Sequence, residues 1–139
     1  MKISARNQIK STIVSVDNGA VNAKITLKAP QGTELSAIIT IESATMLHLA
    51  EGDTVTAFFK ASHVLVALGS VSNISARNKL AGKVETVIQG AVNAELIIRL
   101  AGGDVVSSII TNEALNELGI GEGSGVTAII KASDVMIAK

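Results

Sequence analysis

Residues Val21 to Lys28 show the chain's dominant pattern. Apolar Val21, Ala23, Ile25 and Leu27 alternate with polar Asn22, Lys24, Thr26 and Lys28. A period of two places these sets on opposite faces of a strand, one packed and one wet. Gln8 to Asp17 alternates as well. Ile9, Ser11, Ile13 and Ser15 are expected on one side, and Lys10, Thr12, Val14 and Val16 on the other. Asn18-Gly19 between these strands is a turn signal. Ala29-Pro30-Gln31-Gly32 ends the second strand, and Leu35 to Ile41, rich in Ile and Thr, reads as a third. There the period changes. Glu42 to Ala50 carries Ala44, Met46, Leu47, His48 and Leu49 without a β-branched run, which favours a helix. Thr40 or Ser43 can cap its start, and Glu42 sits where the helix dipole favours negative charge. After Glu51-Gly52-Asp53, Val55 to Lys60 and Val64 to Leu68 read as the fourth and fifth strands. Three strands, a short helix and two strands is the order of an OB-fold barrel. A split sandwich of the same strands is the competing arrangement.

The plan then runs a second time. Leu80 to Ile88, Ala94 to Leu100 and Val105 to Ile110 are strands, Asn112 to Leu118 a helix with Gly119 at its C-cap, and Val126 to Lys131 and Val135 to Ala138 the closing pair. The repeat is literal in places. Ile3-Ser4-Ala5-Arg6-Asn7 returns as Ile74-Ser75-Ala76-Arg77-Asn78, a displacement of 71 residues. Gly19-Ala20-Val21-Asn22-Ala23 returns as Gly90 to Ala94, and Lys60-Ala61-Ser62 as Lys131-Ala132-Ser133, at the same displacement without a gap. The chain is therefore expected to be two tandem five-stranded all-β units, residues 1–68 and 74–139, joined by the linker 69–73.

Units of this size are marginal for a lone core. Cysteine is absent, so no disulfide supplements them. Stability is expected from packing one copy on the other, or from subunits packing together. The 47% hydrophobic content with 1% aromatic leaves Val, Ile, Leu and Ala to fill the core, with rings only at Phe58 and Phe59. Twelve basic and twelve acidic side chains cancel, so neither copy is a basic module for a phosphate backbone. The start, Met1-Lys2-Ile3-Ser4, lacks the apolar run of a signal peptide, and no stretch approaches a membrane span. A cytoplasmic protein is expected.

Catalytic chemistry finds little support. The two histidines, His48 and His63, have no counterpart, since copy two carries Gly119 and Asp134 at those positions, and His48 reads as a helix-surface residue. No zinc spacing is present. No acid pair recurs at a useful place. What does recur is a set of small hydrogen-bond donors around cations. Ser4, Arg6 and Asn7 precede the first strand, Thr40 and Ser43 bracket the helix start, and Lys60, Ala61 and Ser62 follow the fourth strand. Hydroxyls, backbone N–H groups, one or two cations and a helix N-terminus at one barrel rim suit an oxyanion. A bare cation would need carboxylates, which these blocks lack. Plainer roles compete: a capping segment for Ser-Ala-Arg-Asn, a hairpin loop for Lys-Ala-Ser, a left-handed turn for Asn22 and Asn93. Of 68 paired positions, 28 match, and nearly half of the matches fall in the three blocks, which tips the balance toward a site.

Taken together, Ser4-Ala5-Arg6-Asn7, Gly19 to Ala23, Thr40-x-Glu42-Ser43 and Lys60-Ala61-Ser62, in order and in both halves, resemble the Mop or molbindin family. The resemblance spans essentially the whole chain, twice. It implies an OB-like barrel per copy, no enzyme activity and no cofactor. The implied ligand is molybdate, and tungstate with it, held between domains in the cytoplasm. It implies a homo-oligomer of six such domains, a trimer of this tandem chain. On matching positions, Ser4 and Arg6 would come from one side of an oxyanion site and Thr40, Ser43, Lys60, Ala61 and Ser62 from the other. In copy two these are Ser75, Arg77, Thr111, Lys131, Ala132 and Ser133. Val21, Asn22, Val92 and Asn93 correspond to the family's second class of anion site. One position departs: Ala114 stands where copy one has Ser43. A missing hydrogen bond to a charged ligand is worth about 1.5–3 kcal/mol, so sites using that face are expected to be weaker.

Two other functions are carried forward. An OB module binding single-stranded nucleic acid needs aromatic platforms and a basic groove. Tyr and Trp are absent. An effector-sensing partner of a molybdate transporter or regulator would have to act through another protein, because no helix-turn-helix or nucleotide-binding loop is seen.

Overall fold

The computed structural model describes residues 2–139. Met1, the first residue of the expected first unit, lies outside the described residues. Ten strands and two short helices follow in two equivalent sets. The first set is β1 (Asn7–Asn18), β2 (Asn22–Lys28), β3 (Glu34–Thr40), α1 (Ile41–Met46), β4 (Thr54–Phe59) and β5 (Leu65–Leu68). The second is β6 (Asn78–Gln89), β7 (Asn93–Leu100), β8 (Val105–Thr111), α2 (Asn112–Leu118), β9 (Gly125–Ile130) and β10 (Met136–Ala138). The fold is all-β, with OB-like element order and one short helix between the third and fourth strands of each set.

The sheets do not share the repeats' boundaries. One sheet runs β10-β4-β1-β2-β3 and the other β5-β9-β6-β7-β8. Each fifth strand has crossed to the other copy's fourth strand. Met136 to Ala138 pairs with Phe58 to Thr56, and Leu65 to Leu68 with Ile129 to Val126, all antiparallel. Lys60-Ala61-Ser62 is consequently not a hairpin loop. Ala61–His63 and Ala132–Asp134 are 3₁₀ turns that steer the chain across. The exchange covers two sheet edges that would otherwise be open. It also fuses the cores: Ile13, Ile25, Leu27, Leu35 and Phe59 of copy one join Leu96, Ile98, Val106 and Ile130 of copy two in one apolar cluster.

The first strand differs from simple alternation. Its pairing with β2 shifts between Ile13 and Ser15, a β-bulge. Asn7, Ile9, Ser11 and Ile13 point inward, Val14 is exposed, and Val16 turns back onto the core. An extra residue at a bulge swaps the faces that follow it, so Val16 and Ser15 exchange their expected sides. β6 repeats the bulge between Val84 and Thr86.

Both helices carry the expected threonine caps; α2 spans Asn112–Leu118 as expected, while α1 ends sooner. Thr40 Oγ1 accepts from Ser43 N at 3.1 Å, and Thr111 Oγ1 from Ala114 N at 3.0 Å. Ile41 belongs to the helix rather than to β3. α1 stops at Met46 instead of Ala50 because the chain passes into the left-handed region at His48, φ 51°. Gly119 holds the same place after α2 at φ 64°. In both, the next residue closes the end: Leu49 N donates to Ala44 O and Ile120 N to Leu115 O. His48 is therefore a turn residue in a conformation that suits glycine. His48→Gly is expected to raise stability by about 0.5–1 kcal/mol in thermal or urea unfolding.

Paired side-chain clamps lock the copies together. Asn7 Oδ1 accepts from Ser107 N at 2.8 Å, and its Nδ2 donates to Ser107 O at 2.9 Å. Asn78 makes the same two bonds with Ser36, at 2.8 and 2.9 Å, and a third to Ile130 O at 3.2 Å. Asp104 accepts from Gln31 N and Thr33 N, both at 3.1 Å. Gly102 packs so tightly there that a Cβ would lie 2.6 Å from Gln31 O. Lys139 Nζ reaches Asp53 at 3.0 Å, and this bond holds the Asp53 carboxyl below its ordinary range.

Candidate oxyanion clefts

Strand pairing explains why the recurring blocks meet. Asn7 lies opposite Phe59, and Asn78 opposite Ile130. The residues before Asn7 and those after Phe59 therefore leave the sheet at the same end. Ser4, Ala5 and Arg6 face Lys60, Ala61 and Ser62 across a cleft of about 270 Å³. The second copy builds the same cleft, about 350 Å³, from Ser75, Ala76 and Arg77 with Lys131, Ala132 and Ser133. The donors of each cleft come from one copy. Part of the apolar wall comes from the other: Ile109 and Met136 at the first, Ile38 and Leu65 at the second. Met136 and Leu65 stand on the exchanged strands.

The polar groups suit an anion. Each 3₁₀ turn uses the N–H groups of its third residue and the one after: His63 to Lys60 O and Val64 to Ala61 O, then Asp134 to Lys131 O and Val135 to Ala132 O. The N–H groups of Ala61, Ser62, Ala132 and Ser133 have no partner within the turn. With two serine hydroxyls, a guanidinium and an ammonium, each cleft offers neutral and cationic donors. Among the described residues, no group of three or more His, Asp or Glu gathers to hold a metal ion.

Thr40, Ser43 and Thr111 do not line either cleft. Thr40 lies two residues beyond Ile38 on β3, hence on the same strand face and roughly 6–7 Å further along. Thr111 stands in the same relation to Ile109. Copy one's threonine thus neighbours copy two's cleft, and the reverse. Thr40 and Ser43 are also joined to each other, Oγ1 to Oγ, at 2.9 Å. Val21, Asn22, Val92 and Asn93 collect at these same corners. Asn22 pairs with Thr40 and Asn93 with Thr111. Val21 O accepts from Ile41 N at 2.9 Å, and Val92 O from Asn112 N at 2.8 Å. Asn22 O and Asn93 O close turns by accepting from Gly19 N and Gly90 N. Both valines are largely exposed.

Two features escaped sequence reasoning. Asn7 and Asn78, conspicuous in the repeated block, are clamps rather than donors to the cleft. Glu95 holds Arg6, its carboxylate 3.1 and 3.2 Å from Nη1. The signal was present, since Glu95 stands 71 residues after Lys24 and reverses its charge.

Comparison with known proteins gives the family. The TOBE domain model matches residues 3–66 and again 74–137. The molybdenum-pterin-binding protein MopA of Rhodobacter capsulatus is 40% identical over 139 residues, 99% of this chain and 52% of its own length. This chain thus spans about half the length of that relative. The molybdenum-pterin-binding protein 3 of Clostridium pasteurianum is 52% identical over 65 residues, 47% of this chain and 96% of its own, a single copy of the repeat. A solved structure of the cytoplasmic molybdate-binding protein ModG, with molybdate bound, matches 99% of both chains at 45% identity and a TM-score of 0.93. Sequence repeat, exchanged strands and whole-length likeness converge: the chain belongs to the TOBE domain family, as a tandem pair of Mop-type domains.

Proposed function

We propose that this chain binds molybdate in the two clefts, takes tungstate equally, and serves molybdenum storage and homeostasis in the cytoplasm without catalysis. The recurrence of the same donor set at both clefts carries this reading. A tetrahedral dianion loses its water on entering and needs several fixed partners to replace it. Ser4, Arg6, Lys60 and the N–H groups of Ala61 and Ser62 supply them in one cleft, and Ser75, Arg77, Lys131, Ala132 and Ser133 in the other. A cage sized for the larger oxyanions leaves sulfate's bonds long. The likeness to ModG, a molybdate-binding protein, supports the ligand. Residues 1–68 and 74–139 are the units of duplication. Thr40, Ser43 and Thr111, with the Val21-Asn22 and Val92-Asn93 corners, contribute where chains assemble as a trimer of six domains. Val21 and Val92, 71% and 70% exposed, are apolar surface such an assembly would cover. Binding at interfaces would then stabilise assembly.

Calorimetric titration with molybdate, tungstate, sulfate and phosphate, with mass measured in parallel, tests this. Heat with the first two alone, at more than one ion per chain, is the expected result. Ser4→Ala with Ser75→Ala should weaken molybdate binding about tenfold to a hundredfold and leave the sheets folded. Equal heat from sulfate would remove the ligand assignment.

A further inference from the structure

The two clefts repeat their donors but not their charges. At the first, Arg6 is held by Glu95, an acid on β7 whose side chain is only 17% exposed. Glu95 pairs across the sheet with Ile109, a wall of that cleft. The equivalent residue at the second cleft is Lys24, which pairs with Ile38, the equivalent wall. The first cleft thus gathers Arg6 and Lys60 against Glu95, while the second gathers Arg77 and Lys131 with Lys24. Asp134, next to Ser133, returns part of the difference, but it is turned to His63 at 3.8 Å.

We propose that Glu95 is a built-in counter-anion that grades the two clefts, so that the second fills with oxyanion before the first. This rests on the oxyanion reading above. A dianion entering the first cleft meets a carboxylate already using its guanidinium. It must displace that carboxylate from Arg6 and tolerate its charge nearby. At the second cleft no acid among the described residues pairs with Arg77, and Lys24 adds attraction. Glu95 is largely buried but Arg6 is more than half exposed, so water screens the pair in part, and the affinities should differ by up to about tenfold. The first cleft also neighbours Thr111, whose helix carries Ala114 in place of Ser43, a second reason for weaker binding there. One chain would then buffer its ion over two concentration ranges.

The experiment is calorimetric titration of the whole chain with sodium molybdate, in wild type, Glu95→Gln and Lys24→Gln, at two salt concentrations. Wild type should show two classes separated by up to about tenfold. Glu95→Gln should tighten the weaker class toward the stronger, and Lys24→Gln should loosen the stronger. Both shifts should shrink as salt rises. Affinities that Glu95→Gln leaves unchanged, whether wild type shows one class or two, overturn the grading while the oxyanion reading stands. A weaker class that loosens in Glu95→Gln also overturns it, because Glu95 would then be orienting Arg6 for the ligand. No molybdate heat in any variant removes both.

Discussion

Asn78→Ala is expected to cost the fold about 2–5 kcal/mol, read as a lower urea midpoint. Asn78 is 2% exposed and makes three hydrogen bonds. Two of them go to the N–H and C=O of Ser36, on β3 at a sheet edge. The carboxamide serves there as the missing neighbour strand, offering one acceptor and one donor at the right spacing. Alanine leaves Ser36 N–H, Ser36 C=O and one bond of Ile130 C=O without a protein partner. Each buried polar group left unpaired costs about 1–3 kcal/mol. Asn78→Asp should do little better. It keeps the acceptor, loses the donor and sets a negative charge against two carbonyls. Asn7→Ala should follow with a somewhat smaller loss, since Asn7 makes two such bonds. A loss below about 1 kcal/mol for Asn78→Ala would mean that water replaces the clamp.

Removing both cations of the second cleft, Arg77→Ala with Lys131→Ala, should lower molybdate affinity there by about a hundredfold to ten-thousandfold. Hydrogen bonds to charged groups are worth about 1.5–3 kcal/mol each, and two would be lost. Both side chains are exposed, so the urea midpoint should barely move. This separates the pair from the asparagine clamps, where stability falls first. Affinity that survives the double change would place the anion at the Val21-Asn22-Thr40 corner, which neighbours this cleft, instead. Wild-type titration gives the reference for both classes of site.

The same repeated block thus holds two kinds of residue. In Ser4-Ala5-Arg6-Asn7, serine and arginine face the cleft while asparagine turns inward to the other copy. Spacing places the pair Arg6 and Asn7 on opposite faces, but it does not say which face is the ligand's. That depends on what lies across, and Ser107 is a hundred residues away. Lys60-Ala61-Ser62 is similar. Its composition fits a hairpin loop as well as a 3₁₀ turn, and the choice follows from where the next strand goes.

The chain's own letters settled the doubling, the strand and helix order, the capping threonines and the Gly119 terminus, and they held the repeated blocks that line both clefts. These are local: alternation, turn residues and repeated blocks act over a few positions. Three matters were decided only in three dimensions: the exchange of β5 and β10, the inward turn of the asparagines, and the hold of Glu95 on Arg6. Leu65 to Leu68 has the same alternation whether it pairs with β4 or with β9. Two near-identical edges accept it equally, and only the path of the 3₁₀ turn across the shared core selects one. Long-range pairing between like copies leaves no trace in local pattern, because either partner satisfies it.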